Sequence, residues 1–420
     1  MNGADLKVLI VAPTASMQFG GEASLPFYYF KLLNNRGAET HLLVHERTRH
    51  ELEKAFADRR ERLHFVSDTG PERLLTRLGR PLSPKISAQT TGMLRDLSTQ
   101  FRQRAQAKRL VRELGIDVVL EPAPISPKHT SAIFAVGAPV VIGPMCGGIT
   151  FPPAFRYMEG TFTGLIERVG RLASYLLNWL IPGKIFARAL LVANPLAKRS
   201  LPLGIRGQVH QVVESGVDLE IWKPAENPEP RRDDTVRFVF AGRLVDWKGV
   251  QFLIEAFASV VRSAPSARLE IIGDGPLHKE LTDRVDSLGL KDHIHFAGWL
   301  RRTEGADRMN QADVFVMPSL HECGGTAILE AMAMGLPVVA TNWGGPGNYV
   351  NASCGRLVDP SSREGFIDGL AHAMIELAQS KGLRSQLSAG ALRRVHEAYF
   401  TWDSKADRVL EILHDVIGRR

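Results

Sequence analysis

The chain has 420 residues, 44% of them hydrophobic and 23% charged, with a formal net charge of +7. That length exceeds one ordinary hydrophobic core and predicts two domains, and the composition excludes a disordered chain. Three widely spaced cysteines, Cys146, Cys323 and Cys354, have neither zinc-ligand nor redox spacing and fit a reducing cytoplasm. No stretch of about twenty apolar residues is free of charge, so no spanning helix is expected.

Lys7 to Ala12 is a near-continuous apolar run, the pattern of a strand buried on both faces; at about six residues, with no basic segment before it, it is too short for a signal peptide. Phe19-Gly20-Gly21-Glu22 leads into an amphipathic helix over 23–36 with Leu25, Phe30, Leu32 and Leu33 available for burial, and His41 to Val44 is the next strand. This β–Gly loop–α–β order opens a doubly wound nucleotide-binding domain, although Gly20-Gly21 lacks the third glycine of the dinucleotide fingerprint. Residues 51–110 read as Arg-rich helical segments punctuated by prolines. Between Asp58 and Arg112 there are 13 Lys or Arg against 5 Asp or Glu. An excess confined to one region suggests an anionic partner, with a solvated helical face as the plain alternative.

Asp117 to Leu120 and Pro139 to Ile142 are further strands, each followed by a Pro- or Gly-rich loop. Gly164 to Ala193 is apolar and aromatic, with Arg168, Arg171, Lys184 and Arg188 interspersed. It reads either as an interfacial segment with Tyr175 and Trp179 at headgroup depth, or as a buried helix pair broken at Pro182-Gly183. Gln211 to Val213 is a strand, and the polar, Pro-rich run from Glu220 to Asp234 has linker composition. The second half alternates cleanly, with strands at 237–241, 268–272, 293–297, 314–317, 338–340 and 356–358 and helices between them, which predicts a parallel sheet covered on both faces. A last helix, 402–417, has no strand to follow it.

Two stretches of this half concentrate chemistry. Gly242 to Gly249 (GRLVDWKG) lies between a strand and a helix and places Arg243 and Lys248 near a helix N-terminus, a suitable grip for a diphosphate. It is not a Walker loop, since no Gly-Lys-Ser/Thr is present. Val314 to Ala340 reads as strand, loop, helix, turn, strand. Glu322 lies in its loop, Gly324 and Gly325 bare the backbone where the helix begins, and Glu330 is about two turns in. A carboxylate accepting from vicinal hydroxyls is the usual way to hold a ribose. Two cations for a diphosphate with two acids for hydroxyls is the chemistry of a sugar nucleotide.

These residues resemble a known family. ECGGTAILEAMAMGLPVVAT, with its two acids separated by seven residues, is similar to the retaining GT-B glycosyltransferases of family 4, as are FAGRLVDWKG, IIGDGPL, ESGVDLEIWKP and the N-terminal FGGE. The resemblance follows most of the chain and is weakest in the middle of the first half. It implies two Rossmann-like domains facing a cleft: residues 1–217 on the acceptor side, 218–399 binding the nucleotide-sugar, and 400–420 a helix crossing back to the first domain. It implies that Arg243 and Lys248 clamp the diphosphate, Glu330 holds the ribose and Glu322 the donor sugar, with backbone N–H groups of Gly324, Gly325, Thr326 and Gly21 meeting sugar or phosphate. Arg243, Lys248 and Glu322 would carry the catalysis. No metal and no cofactor is implied beyond a UDP- or GDP-sugar co-substrate, and configuration would be retained. Three positions depart from the family pattern. Cys323-Gly324 replaces a common Gly-Phe pair, Asn348 stands where an acid is common, and Glu121-Pro122 follows the strand where a histidine is frequent, leaving open whether Glu121, His129 or neither contacts the sugar.

The expected function is transfer of a sugar to a lipid-linked or cell-envelope glycan acceptor, by a cytoplasmic protein resting on an anionic membrane surface and using no nucleic acid. A sugar-nucleotide epimerase, a soluble-glycoside synthase and an inactive scaffold of the same fold are the competing readings.

Overall fold

In a computed structural model, residues 6–19, 21–79, 81, 87–122, 126–159, 174, 176–226 and 234–418 are described. Their contacts divide the chain into two units, Met1–Gly148 with Leu165–Glu214 and Trp402–Arg420, and Ile149–Gly164 with Ser215–Thr401.

The first unit is built on a seven-stranded parallel sheet of β1 (Lys7–Val11), β2 (Glu39–His45), β3 (Leu63–Val66), β4 (Val118–Glu121), β5 (Val140–Met145), β6 (Ala189–Val192) and β7 (Gln208–Gln211), in the order β3-β2-β1-β4-β5-β6-β7. The central strands are short runs of Val, Leu and Ile buried on both sides, as crossover helices on both faces of a sheet require. Helix α1 (Gly21–Asn35) buries Leu25, Phe30, Leu32 and Leu33, the side chains its sequence offered. Helix α2 (Met93–Leu114) inserts Ala107, Leu110 and Val111 between β-strand side chains on the other face.

The reading of 51–110 as helical segments separated by prolines is corrected at Leu63–Val66, which is a strand. Leu63 and Val66 are buried and the strand pairs with β2 from Leu42 to His45. Four residues at a sheet edge carry too little periodicity to stand out from the helical segments around them. The strand expected at 211–213 begins three residues earlier, at Gln208. Arg168, Arg171 and Tyr175 lie outside the described residues.

The second unit has a six-stranded parallel sheet of β8 (Arg237–Ala241), β9 (Arg268–Ile272), β10 (Ile294–Gly298), β11 (Val314–Met317), β12 (Val338–Thr341) and β13 (Gly355–Val358), ordered β10-β9-β8-β11-β12-β13. Helices α3 (Val250–Ser263), α4 (Thr326–Ala333) and α5 (Arg363–Gln379) pack on it, and Phe155 from residues 149–159 joins Phe252 and Phe366 in its core. Helix α6 (Trp402–Gly418) belongs to the first unit. Its Trp402 ring stacks on Tyr28 at 4.4 Å, Arg36 bridges to Asp407 at 2.5 Å, and Val409, Leu410 and Leu413 face the α1 side of that core.

The strand orders define where ligands bind. In the second sheet the chain goes from β8 out to β9 and β10, then returns to lay β11 on the other side of β8. In the first sheet it goes from β1 to β2 and β3, then returns to lay β4 beside β1. Loops on either side of such a reversal diverge and leave a crevice at the carboxyl ends of the strands.

Candidate functional site

The crevice of the second unit lies between β8 and β11, and both chemistry-bearing stretches open onto it. Arg243 and Lys248 are in the loop after β8; Glu322, Gly324 and Gly325 are in the loop after β11. The two loops are tied together, since Leu320 N–H donates to the Trp247 carbonyl at 2.8 Å. The neighbouring loops lock against them. Leu244 N–H donates to the Asp274 carbonyl at 2.9 Å, and Gly345 N–H to the Glu322 carbonyl at 2.8 Å. At Gly273, with φ at +137°, an added Cβ would stand 1.9 Å from the Gly242 carbonyl oxygen, so no other residue fits there.

Lys248 Nζ forms a close ion pair with Glu322, and both side chains are largely shielded from water. Arg243 is exposed, lies over the Trp247 ring at 5.7 Å and has no ion pair among the described residues. The site therefore holds one cation already matched and one available to an incoming anion. Gly325 caps α4 in the left-handed conformation (φ +77°), which leaves the first N–H groups of the helix uncovered by a capping side chain. Thr326, first in the helix, donates its hydroxyl to Ser215 Oγ at 3.1 Å.

Glu330 retains 15% side-chain exposure, yet burial pushes its carboxyl up to about 7, only partly opposed by Arg302, whose Nη2 is 4.0 Å away. A buried carboxylate at the edge of ionisation is a common mark of a functional position. Arg302 was not singled out from sequence. It opens the helix Arg302–Met309 that follows β10, two strands from β8, and only the tertiary fold brings that helix start to Glu330. Trp299 stands in the loop before that helix, 72% exposed. Cys323 is half-buried beside Glu322, and Asn348 donates its side-chain amide to the Gly344 carbonyl at 3.0 Å, a turn-closing role.

Gly21 is in the first unit, where it begins α1 after β1. The loop after β4 lies across the same unit's strand reversal. Glu121, the last residue of β4, is buried and accepts a hydrogen bond from Ser131 Oγ at 2.5 Å, and burial raises its carboxyl to about 8. It is an internal acid bonded to its own unit. His129 reaches solvent at one side, while desolvation of the rest of its ring, and then the nearby Lys184 charge, lower its pKa.

Residues 223–394 match the model of the family glycosyl transferases group 1. Two curated relatives show the same relation. The GDP-mannose-dependent monoacylated alpha-(1-6)-phosphatidylinositol monomannoside mannosyltransferase of Corynebacterium glutamicum is 32% identical over 47% of this chain and 54% of its own. The lipopolysaccharide core biosynthesis glycosyltransferase LpsE of Rhizobium meliloti is 36% identical over 41% of this chain and 48% of its own. The chain thus spans about half the length of the curated relatives it matches. Among solved structures, Anabaena HepE in complex with UDP superposes with a TM-score of 0.64 at 16% identity, covering 98% of this chain and 100% of that one. At that identity the likeness speaks for the fold alone, and the fold is GT-B, with two Rossmann-like domains.

Proposed function

We propose that the protein is a retaining glycosyltransferase of family 4 that moves a sugar from a UDP- or GDP-sugar to a lipid-linked or cell-envelope glycan acceptor. The observation that carries this reading is the Lys248–Glu322 ion pair that joins the loops after β8 and β11, with Arg243 in the first loop and the N-terminus of α4 following the second. Arg243 grips the diphosphate oxygens. Lys248, released from Glu322 when a donor enters, adds a second charge, and the bare N–H groups from Gly324 to Thr326 face the same anion. Together they stabilise the charge that develops on the departing diphosphate, the role a metal ion plays elsewhere. Ionised Glu330 accepts from the ribose hydroxyls, and Glu322 from hydroxyls of the transferred sugar. The acceptor attacks from the face the diphosphate leaves, and a diphosphate oxygen takes its proton.

The acceptor class is supported by the surface of the first unit. On the helix Gly70–Gly79 the exposed pairs Leu74 and Leu78, and Arg73 and Arg77, form adjacent ridges, and α2 exposes Leu94 and Phe101 nearby. Leu176, Trp179 and Leu180 are also exposed, Trp179 to 71%. Apolar side chains with interleaved arginines suit the headgroup region of an anionic membrane, here taken as the inner face of the cytoplasmic membrane. Part of the basic excess is spent internally. Arg102 bridges to buried Glu72 at 2.6 Å, and Arg104 lies over the Phe134 ring at 4.0 Å. Among the described residues no helix is long and apolar enough to cross a membrane.

A thermal-shift screen against nucleotide-sugars tests the reading. A donor present at about a hundred times its Kd stabilises the native state by about 2.7 kcal/mol. No shift with any UDP- or GDP-sugar would refute it.

A further inference from the structure

Lys184 lies in the stretch that the sequence left open between a membrane interface and a buried helix pair. The structure turns it inward. Its side chain is fully buried, and its ammonium donates to the carbonyls of Ser126 at 2.7 Å, Pro127 at 3.0 Å and His129. An ammonium has three N–H donors and no acceptor, so three carbonyls match it completely. The carbonyl this lysine misses is taken by its neighbours in sequence. Lys128 O accepts from Ser174 Oγ at 2.5 Å and from Asn178 Nδ2 at 3.3 Å. Gly183 N–H then donates to Ser131 O at 3.1 Å. Four successive carbonyls, 126 to 129, and a fifth at 131 are thus held by residues 174–184. Ser131 Oγ is meanwhile bonded to Glu121 at the end of β4.

Surface loops usually turn their carbonyls to water. This one is held from beneath by an element distant in sequence, and it leaves β4 at the strand reversal of the first sheet, where His129 is exposed. We propose that Lys184 is a positioning residue: with Ser174 and Asn178 it clamps residues 126–131, fixing the backbone from which His129 is presented to the ligand crevice of the first unit. The inference rests on the proposed transferase reading and adds a residue that acts through a loop and not on the sugar. Burial opposes the charge on Lys184 and pulls its pKa to about 7, while nearby Glu121 favours the protonated form and the three carbonyls require it.

The test compares full-length parent with Lys184→Met, which keeps the volume and removes the donors. Amide hydrogen exchange across 126–131 should quicken at least tenfold, with β1, β4 and β5 unchanged. With a nucleotide-sugar that the parent uses, kcat should fall at least tenfold, while the UDP or GDP Kd, set by the second unit, stays within twofold. Exchange unchanged in the loop overturns the clamp. Loss of nucleotide affinity in step with kcat overturns the positioning role, because it marks general damage. Should Lys184→Met not fold, Asn178→Ala removes one bond to Lys128 O and should give the same pattern at smaller size; an unaltered loop there also overturns the proposal. If the parent transfers no sugar from any nucleotide, the transferase reading fails, and the exchange measurement still decides the clamp.

Discussion

The ionisation of Glu330 gives the proposed site a pH signature. Burial holds this carboxyl at about 7 against an ordinary 4.5, so it is mostly neutral at pH 6 and mostly ionised at pH 8. If only the carboxylate accepts from both ribose hydroxyls, the competent fraction rises from about one tenth to about nine tenths across that range. Apparent donor affinity then rises about tenfold, or about 1.4 kcal/mol. Titration calorimetry with an intact nucleotide-sugar, whose diphosphate has no ionisation in this window, measures it at pH 6, 7 and 8. Glu330→Gln should bind more weakly at pH 8 and show no slope. The same shift acts on stability. Below pH 4.5 the group is protonated in both states and costs nothing. Between 4.5 and 7 the unfolded chain releases its proton while the folded chain keeps it, so stability falls as pH rises, by up to about 3 kcal/mol, and is level above 7. Glu330→Gln should therefore melt higher than the parent at pH 8 and close to it at pH 4. A parental affinity that is flat from pH 6 to 8, or a glutamine variant that keeps the slope, refutes the assignment of Glu330 to the ribose.

Arg243→Ala should weaken UDP or GDP binding at least about tenfold, the size of a lost charge-assisted hydrogen bond, and unchanged calorimetric affinity would remove Arg243 from the clamp. A double-mutant cycle of Lys248→Ala and Glu322→Ala, read by urea unfolding without ligand, should give a coupling of about 0.5–3 kcal/mol; additive effects would mean the shielded pair is energetically idle. Gly273→Ala should cost at least about 2 kcal/mol in the same assay, because its Cβ meets the Gly242 carbonyl in a backbone conformation that L residues avoid; a neutral result would show that the two loops are not locked. Flotation with vesicles containing anionic lipid should capture the protein at low salt and release it as salt rises, and Trp179→Ala should weaken capture; flotation independent of lipid charge sinks the membrane surface.

Much of this protein is local in origin and legible in the chain. Strands such as β1, β8 and β11 are continuous runs of apolar residues, and the loops after β8 and β11 announce themselves by placing Arg243, Lys248, Glu322 and the Gly324-Gly325 pair between a strand and a helix. Periodicity and turn chemistry act over a few residues, so they survive without a fold. Tertiary structure alone decided which loops meet. β11 returns to lie beside β8 after β9 and β10 have gone the other way, and this reversal joins two loops more than seventy residues apart in the chain. Burial is likewise a property of the assembled unit. It sets Glu330 at the edge of ionisation, closes Glu121 against Ser131, and places Lys184, in a stretch the sequence left open between a membrane interface and a buried helix pair, beneath a loop. A charge's partners and its distance from water are non-local quantities, and for these three residues no pattern of neighbours along the chain encodes them.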